Sequence, residues 1–161
     1  MRRAYFDCRY GQLHLHNAIP AGGGFDELTP VICIPGAGQT GRIFLPWMTP
    51  LGYERSVYAP DMPGTGESDP APGVGAVEAA VHAVVDFVDA MRIRRFDLVA
   101  REQGCDAALL VLAQRAAAVR RVVLLGASGT KAGAAITAMP LAAASEPDFP
   151  ARLVSLLAVP A

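Results

Sequence analysis

The sequence predicts an α/β fold, a mostly parallel sheet of about six strands flanked by helices. Three observations lead there. Apolar runs of strand length alternate with helix-length segments from Val31 to Ser128, and that alternation implies parallel strands joined by right-handed crossovers. Hydrophobic residues make up 52% of the 161 positions and charged residues 18%, the richness expected where strands are covered on both faces. Finally, the small residues Ala100 and Gly104 stand two places before and two places after Glu102. A tight strand-to-helix corner needs that spacing, because bulky side chains there would collide in the turn.

The elements follow in order. Residues 4–19 read as two strands about Tyr10-Gly11-Gln12, the second alternating through Leu13-His14-Leu15-His16 as a half-exposed strand does. Gly22-Gly23-Gly24 is a loop, and Pro30-Val31-Ile32-Cys33-Ile34, closed by Pro35-Gly36, is a buried strand. A short helix is expected over residues 41–51 and a strand over 55–60, ending in the turn-rich Asp61-Met62-Pro63-Gly64-Thr65-Gly66. Residues 76–93 are helical: Val77, Val81, Val84, Val88 and Met91 form one stripe, and Glu78, His82, Asp86 and Asp89 the opposite one. Arg92, Arg94 and Arg95 fall at its end, where cations meet the negative pole of the helix dipole. Residues 96–100 are the strand before the corner, 103–114 a helix with almost no polar face, and 121–126 another buried strand. Beyond Thr130 the chain is alanine-rich and broken by Pro140, Pro147, Pro150 and Pro160, so short helices are expected. Residues 1–130 are read as the core and 131–161 as a partial cap-like or C-terminal helical segment.

Composition narrows function. A formal net charge of −1 without a basic stripe argues against a nucleic-acid partner. No run reaches the roughly 18 apolar residues of a membrane span, and no apolar run follows Met1-Arg2-Arg3, so a secretory leader is not expected. Cys8, Cys33 and Cys105 are too scattered for a disulfide framework and suit a reducing cytoplasm.

Four motifs, in order, resemble the α/β-hydrolase family over residues 3–130: Pro35-Gly36-Ala37-Gly38-Gln39, Asp61-Met62-Pro63-Gly64-Thr65-Gly66-Glu67-Ser68, Ala100-Arg101-Glu102-Gln103-Gly104, and Val122-Val123-Leu124-Leu125-Gly126-Ala127-Ser128. The resemblance makes them the oxyanion loop, the loop after the fourth strand, the nucleophile elbow and the sixth strand. It places Glu102 at the nucleophile position and the backbone N–H groups of Ala37 and Gln103 as oxyanion donors. The chain departs from the family at that centre. Glutamate stands where serine is usual; some members, the epoxide hydrolases and haloalkane dehalogenases, use aspartate, which is one methylene shorter. Pro35-Gly36 replaces the usual His-Gly. The family's late histidine has no counterpart, since no histidine follows His82 and the sequence ends in Pro160-Ala161.

The resemblance therefore implies a degenerate hydrolase-like protein without a complete triad, binding a small apolar or ester-like molecule. Two alternatives stand beside it: a hydrolase of ester, epoxide or related bonds using Glu102 as carboxylate nucleophile or base, and a fragment of a longer hydrolase. No cofactor and no metal are expected. His14 and His16 share a strand face but lack an evident third ligand nearby in sequence, so a solvated face is preferred. His82 lies on the polar helix stripe and is expected to face solvent. Cys105 is read as a packing residue rather than a displaced nucleophile. Asp61 is a weak site candidate, favoured as the group ordering the Gly64-Thr65-Gly66 turn. Ser68 and Ser128 are loop serines, and Phe44 and Trp47 are placed near the cleft entrance. An unpaired sheet edge between Val122 and Leu125 would invite either a homodimer or a C-terminal segment folded over it.

Overall fold

The computed structural model describes residues 1–22, 28–127 and 135–158, so the expectations for Gly23, Gly24, Ser128, Thr130 and Pro160 fall outside the described residues. Strands β1 (Arg2–Cys8) and β2 (Gly11–Ala18) form an antiparallel hairpin, from Arg2↔Asn17 to Cys8↔Gly11. Next come β3 (Val31–Ile34), a 3₁₀ turn (Gly41–Phe44), α1 (Leu45–Leu51) and β4 (Val57–Pro60). Then follow α2 (Ala76–Ala90), β5 (Phe96–Arg101), α3 (Gly104–Gln114) and β6 (Val119–Leu125). The last elements are β7 (Ile136–Met139), a second 3₁₀ turn (Leu141–Ser145) and α4 (Phe149–Ala158). The seven strands lie in the order β1-β2-β4-β3-β5-β6-β7. From β4 to β7 every pairing is parallel, while β2 meets β4 antiparallel.

Side-chain alternation along the buried strands divides the core into two layers. Leu98 and Ala100 of β5 point into a layer with Val81, Val84 and Val88 of α2 and Ala108 and Val111 of α3. Val99 points the other way, into a layer with Trp47 and Met48 of α1 and Phe149, Leu153 and Leu157 of α4. The last three are fully buried, each contributing about 1.5–3 kcal/mol by leaving water. The end of α4 is also tied electrostatically. Arg120 and Arg55 both donate to the Leu157 carbonyl, and both guanidinium groups flank the buried Asp97 carboxylate.

Helix α2 stops at Ala90 rather than continuing to residue 93. Arg92 adopts a left-handed φ of 54°. The Ile93 amide then donates to the Val88 carbonyl at 2.9 Å and the Arg92 amide to the Asp89 carbonyl at 3.1 Å. This is the Schellman arrangement with arginine where glycine is usual, so the polarity of Arg92 concealed a stop signal.

Two expectations are corrected, and a third is resolved between its alternatives. Short helices alone were expected beyond residue 130, but Ile136–Met139 is a strand, its β signal weakened by flanking alanines. The edge at Val122 to Leu125 is not exposed, because it pairs in parallel with Ile136 to Met139. Of the two outcomes expected for that edge, the C-terminal segment supplies the cover. β2 is not half-exposed, since residues 13–18 are all buried. The loop after β4 folds across it, with Ser68 Oγ accepting from the His14 amide and Asp69 from the Gln12 amide.

With β7 in place, the amides of Val122 to Leu125 are expected to exchange with deuterium as slowly as those of β5. Rapid exchange at those four amides in native-state NMR would show that β7 does not hold the edge.

Candidate functional site

From β3 the chain moves to β4 on one side and then crosses to β5 on the other. A crevice opens at the carboxyl ends of strands where the winding changes direction. The segments leaving β3 and β5 there are Pro35 to Gln39 and Glu102 to Gly104. They meet closely: a Cβ on Gly104 would lie 2.5 Å from the Pro35 carbonyl oxygen, so only glycine lets α3 begin so near the end of β3.

Between β5 and α3 the backbone turns at Glu102, which has φ 51°. A non-glycine residue in this region stores about 1 kcal/mol or more, retained only when the surroundings enforce it. Here the Glu102 amide donates to the Leu125 carbonyl at 2.8 Å, and its carbonyl accepts from the Cys105 amide at 3.0 Å. The side chain is half-buried and reaches across to the β3 segment. Gln39 Nε2 donates to both carboxylate oxygens at 3.2 Å, while Gln39 Oε1 accepts from the Gly36 amide at 3.3 Å. A Cβ on Gly36 would lie 2.8 Å from Glu102 Oε2, so the carboxylate stands directly over the Gly36 backbone. Ala37 and Gln103 are exposed. Both line a small cavity of about 50 Å³ with Gly36, Met62, Val77 and Ala107.

The second constellation centres on Asp61. The β2–β4 register pairs Leu15 with Pro60, so the next step places His14 beside Asp61. His14 Nδ1 lies 2.9 Å from Asp61 Oδ2. Oδ1 accepts from the Gly41 amide at 2.7 Å and Oδ2 from the Glu67 amide at 3.3 Å. The Asp61 carbonyl accepts from Ser68 Oγ at 2.7 Å. His16 lies beside His14, with ring centroids 5.0 Å apart and nearly perpendicular. Burial is the main cause that lowers the His16 pKa, with the neighbouring His14 adding to it. His14 and His16 are 2% and 4% exposed, which corrects the solvated face expected for them. His14, His16 and Asp61 also form a set able to hold a metal ion, a grouping hidden in sequence by the 47 positions between His14 and Asp61.

Other candidates sort by burial. Cys105 is buried against the Leu125 carbonyl, and desolvation pushes its thiol up to about 11. His82 is half-buried with its ring on the Tyr10 hydroxyl, rather than free in solvent. Phe44 and Trp47 are core residues, not rim residues, because α4 folds back on α1 and brings Phe149 4.9 Å from the Trp47 ring. Arg101, adjacent to the corner, stacks its guanidinium 5.7 Å from the Trp47 centroid on the opposite side of the sheet. The residue overlooked from sequence is Gln39, inside a quoted motif but not singled out; its amide is the direct partner of Glu102.

The family profile described as "alpha/beta hydrolase fold" matches residues 29–160. The chain belongs to the α/β-hydrolase family. A 2-hydroxy-6-oxo-2,4-heptadienoate hydrolase of Pseudomonas putida is 34% identical over 104 residues, 62% of this chain and 38% of that protein. An epoxide hydrolase of Vigna radiata superposes with a TM-score of 0.68 at 14% identity, over 78% of this chain and 38% of its own. An enol-lactonase from Burkholderia xenovorans superposes with a TM-score of 0.68 at 20% identity, over 76% and 46% of the two chains. The present chain thus spans under half the length of these α/β-hydrolase relatives. Among its described residues, no helix is long and apolar enough to cross a membrane.

Two outcomes test this geometry. A Cβ on Gly66, whose φ is +55°, would lie 2.0 Å from Asp61 Oδ2. Gly66→Ala is therefore expected to cost about 2–3 kcal/mol in urea unfolding, strain and a broken buried contact acting together. Because thiolate is the reactive form, Cys105 is expected to resist iodoacetamide in the native protein near pH 8, after Cys8 has reacted. Peptide mapping checks the order.

Proposed function

We propose that the Glu102 corner is a nucleophile elbow carrying a carboxylate, in a protein that binds a small apolar or ester-like molecule and does not run serine-type hydrolysis. The observation that carries this reading is the Gln39–Glu102 contact. A carboxylate held over Gly36 by the Gln39 amide puts negative charge beside the cavity lined by Ala37 and Gln103. An oxyanion developing there would be opposed by that charge. The sequence has three histidines. His14 pairs with Asp61, His16 packs on His14 and His82 pairs with Tyr10, whereas the Glu102 carboxylate meets Gln39. The surrounding Met62, Val77 and Ala107 favour an apolar ligand body. Three free cysteines fit a cytoplasmic setting.

A second reading has its own support. The left-handed φ at Glu102 is strain of the kind kept at working sites, and Ala37 and Gln103 flank one cavity. In that reading Glu102 is the nucleophile or base of a hydrolase of esters, epoxides or related bonds, with the Ala37 and Gln103 amides as stabilisers and the remaining machinery in a longer protein. The span of 38% of the Pseudomonas putida relative is compatible with it.

The two readings separate in one assay set. Binding is expected to appear as saturable amide shifts at residues 36–38 and 103, with no turnover of short acyl esters or styrene oxide above background. Turnover that vanishes in Glu102→Ala and survives in Cys105→Ala would overturn the binding reading in favour of the enzyme.

A further inference from the structure

We propose that His14, His16 and Asp61 form a binding site for a divalent transition-metal ion of the zinc class, tying β2 to the loop that follows β4. One donor atom from each residue lies within 4.8 Å of the others, and all three residues are buried. Two imidazole nitrogens, His14 Nε2 and His16 Nε2, are buried without a hydrogen-bond partner. A buried nitrogen without a partner loses its hydration and gains nothing in return, so two side by side on one strand ask for an electrophile that satisfies both. Imidazole nitrogen donors suit zinc, cobalt, nickel and copper rather than calcium or magnesium.

The surroundings give the site its support. Asp61 is held by the Gly41 and Glu67 amides and lies on His14 Nδ1 at 2.9 Å. A carboxylate behind a ligating histidine fixes the ring orientation and raises its basicity. Arg3 and Arg42 lie on the His16 side and oppose a cation. Asp61 and Glu67, which faces Arg3 at 3.9 Å, offset them. Metal–nitrogen bonds of about 2.0–2.1 Å require the two Nε2 atoms to draw together on the ion. With Asp61 on His14 Nδ1, the ion is held by His14 Nε2 and His16 Nε2, and its remaining positions are left to water. The site is independent of Glu102, so neither reading of the corner bears on it.

The test uses the untagged full chain, stripped with a chelator and titrated with Co²⁺. One equivalent is expected to bind with nitrogen- and oxygen-type d–d bands, no sulfur charge-transfer band, and a rise in melting temperature. His16→Gln and His14→Gln are each expected to weaken binding by at least about tenfold. Failure of the folded wild-type chain to bind, a sulfur charge-transfer band assigned by its loss in Cys8→Ser, or unchanged affinity in both histidine variants would overturn the proposal. If the variants do not fold, the wild-type cobalt spectrum decides between a nitrogen–oxygen site and none.

Discussion

The Asp61 carboxylate is the contact on which this arrangement turns. It sits at the carboxyl end of β4, buried to 3% exposure, and its oxygens meet groups from three separate segments: His14 of β2, the amide opening the 3₁₀ turn at Gly41, and Glu67 of the following loop. A buried carboxylate is tolerable only when its lone pairs are filled. The fold therefore closes around it. Gly41 must be glycine there because a Cβ would lie 2.0 Å from the Ala59 carbonyl oxygen. With that knot in place the loop after β4 covers β2, and Met62 and Thr65 are delivered to the wall of the cavity.

Much of the layout was legible in the sequence because it rests on local patterns. The valine spacing of α2, the apolar runs of β3 and β5, and the small residues about Glu102 each report a steric requirement of their own element. What was not legible depends on distant pairing. The solvated reading of His14 and His16 followed from a sound alternation rule. It failed because burial of a strand face is decided by what folds over it, here residues 62–69. The strand at Ile136–Met139 was missed because alanine-rich flanks carry little β preference, whereas its pairing with Val122 to Leu125 makes it a strand. The Gln39–Glu102 contact links positions 63 apart, and no periodicity encodes it.

The two sides of β5 show how one strand serves two ends. Leu98 and Ala100 hold the layer under α2 and α3, and Val99 the layer under α4. Arg101 then rests on Trp47, and Glu102 leaves the sheet toward Gly36. Asp97, at the opposite end of the same strand, gathers Arg55 and Arg120 against the last turn of α4. Helix α4 is thereby coupled to the strand that presents the corner.

The backbone at Glu102 is held by the Leu125 carbonyl, by the Cys105 amide and by the near contact of Gly104 with Pro35. None of these involves the glutamate side chain. The position is thus a mount whose fitting is interchangeable: the scaffold delivers whatever side chain is encoded there to nearly the same point in space. A change of side chain at residue 102 leaves each of these three backbone restraints with its partner.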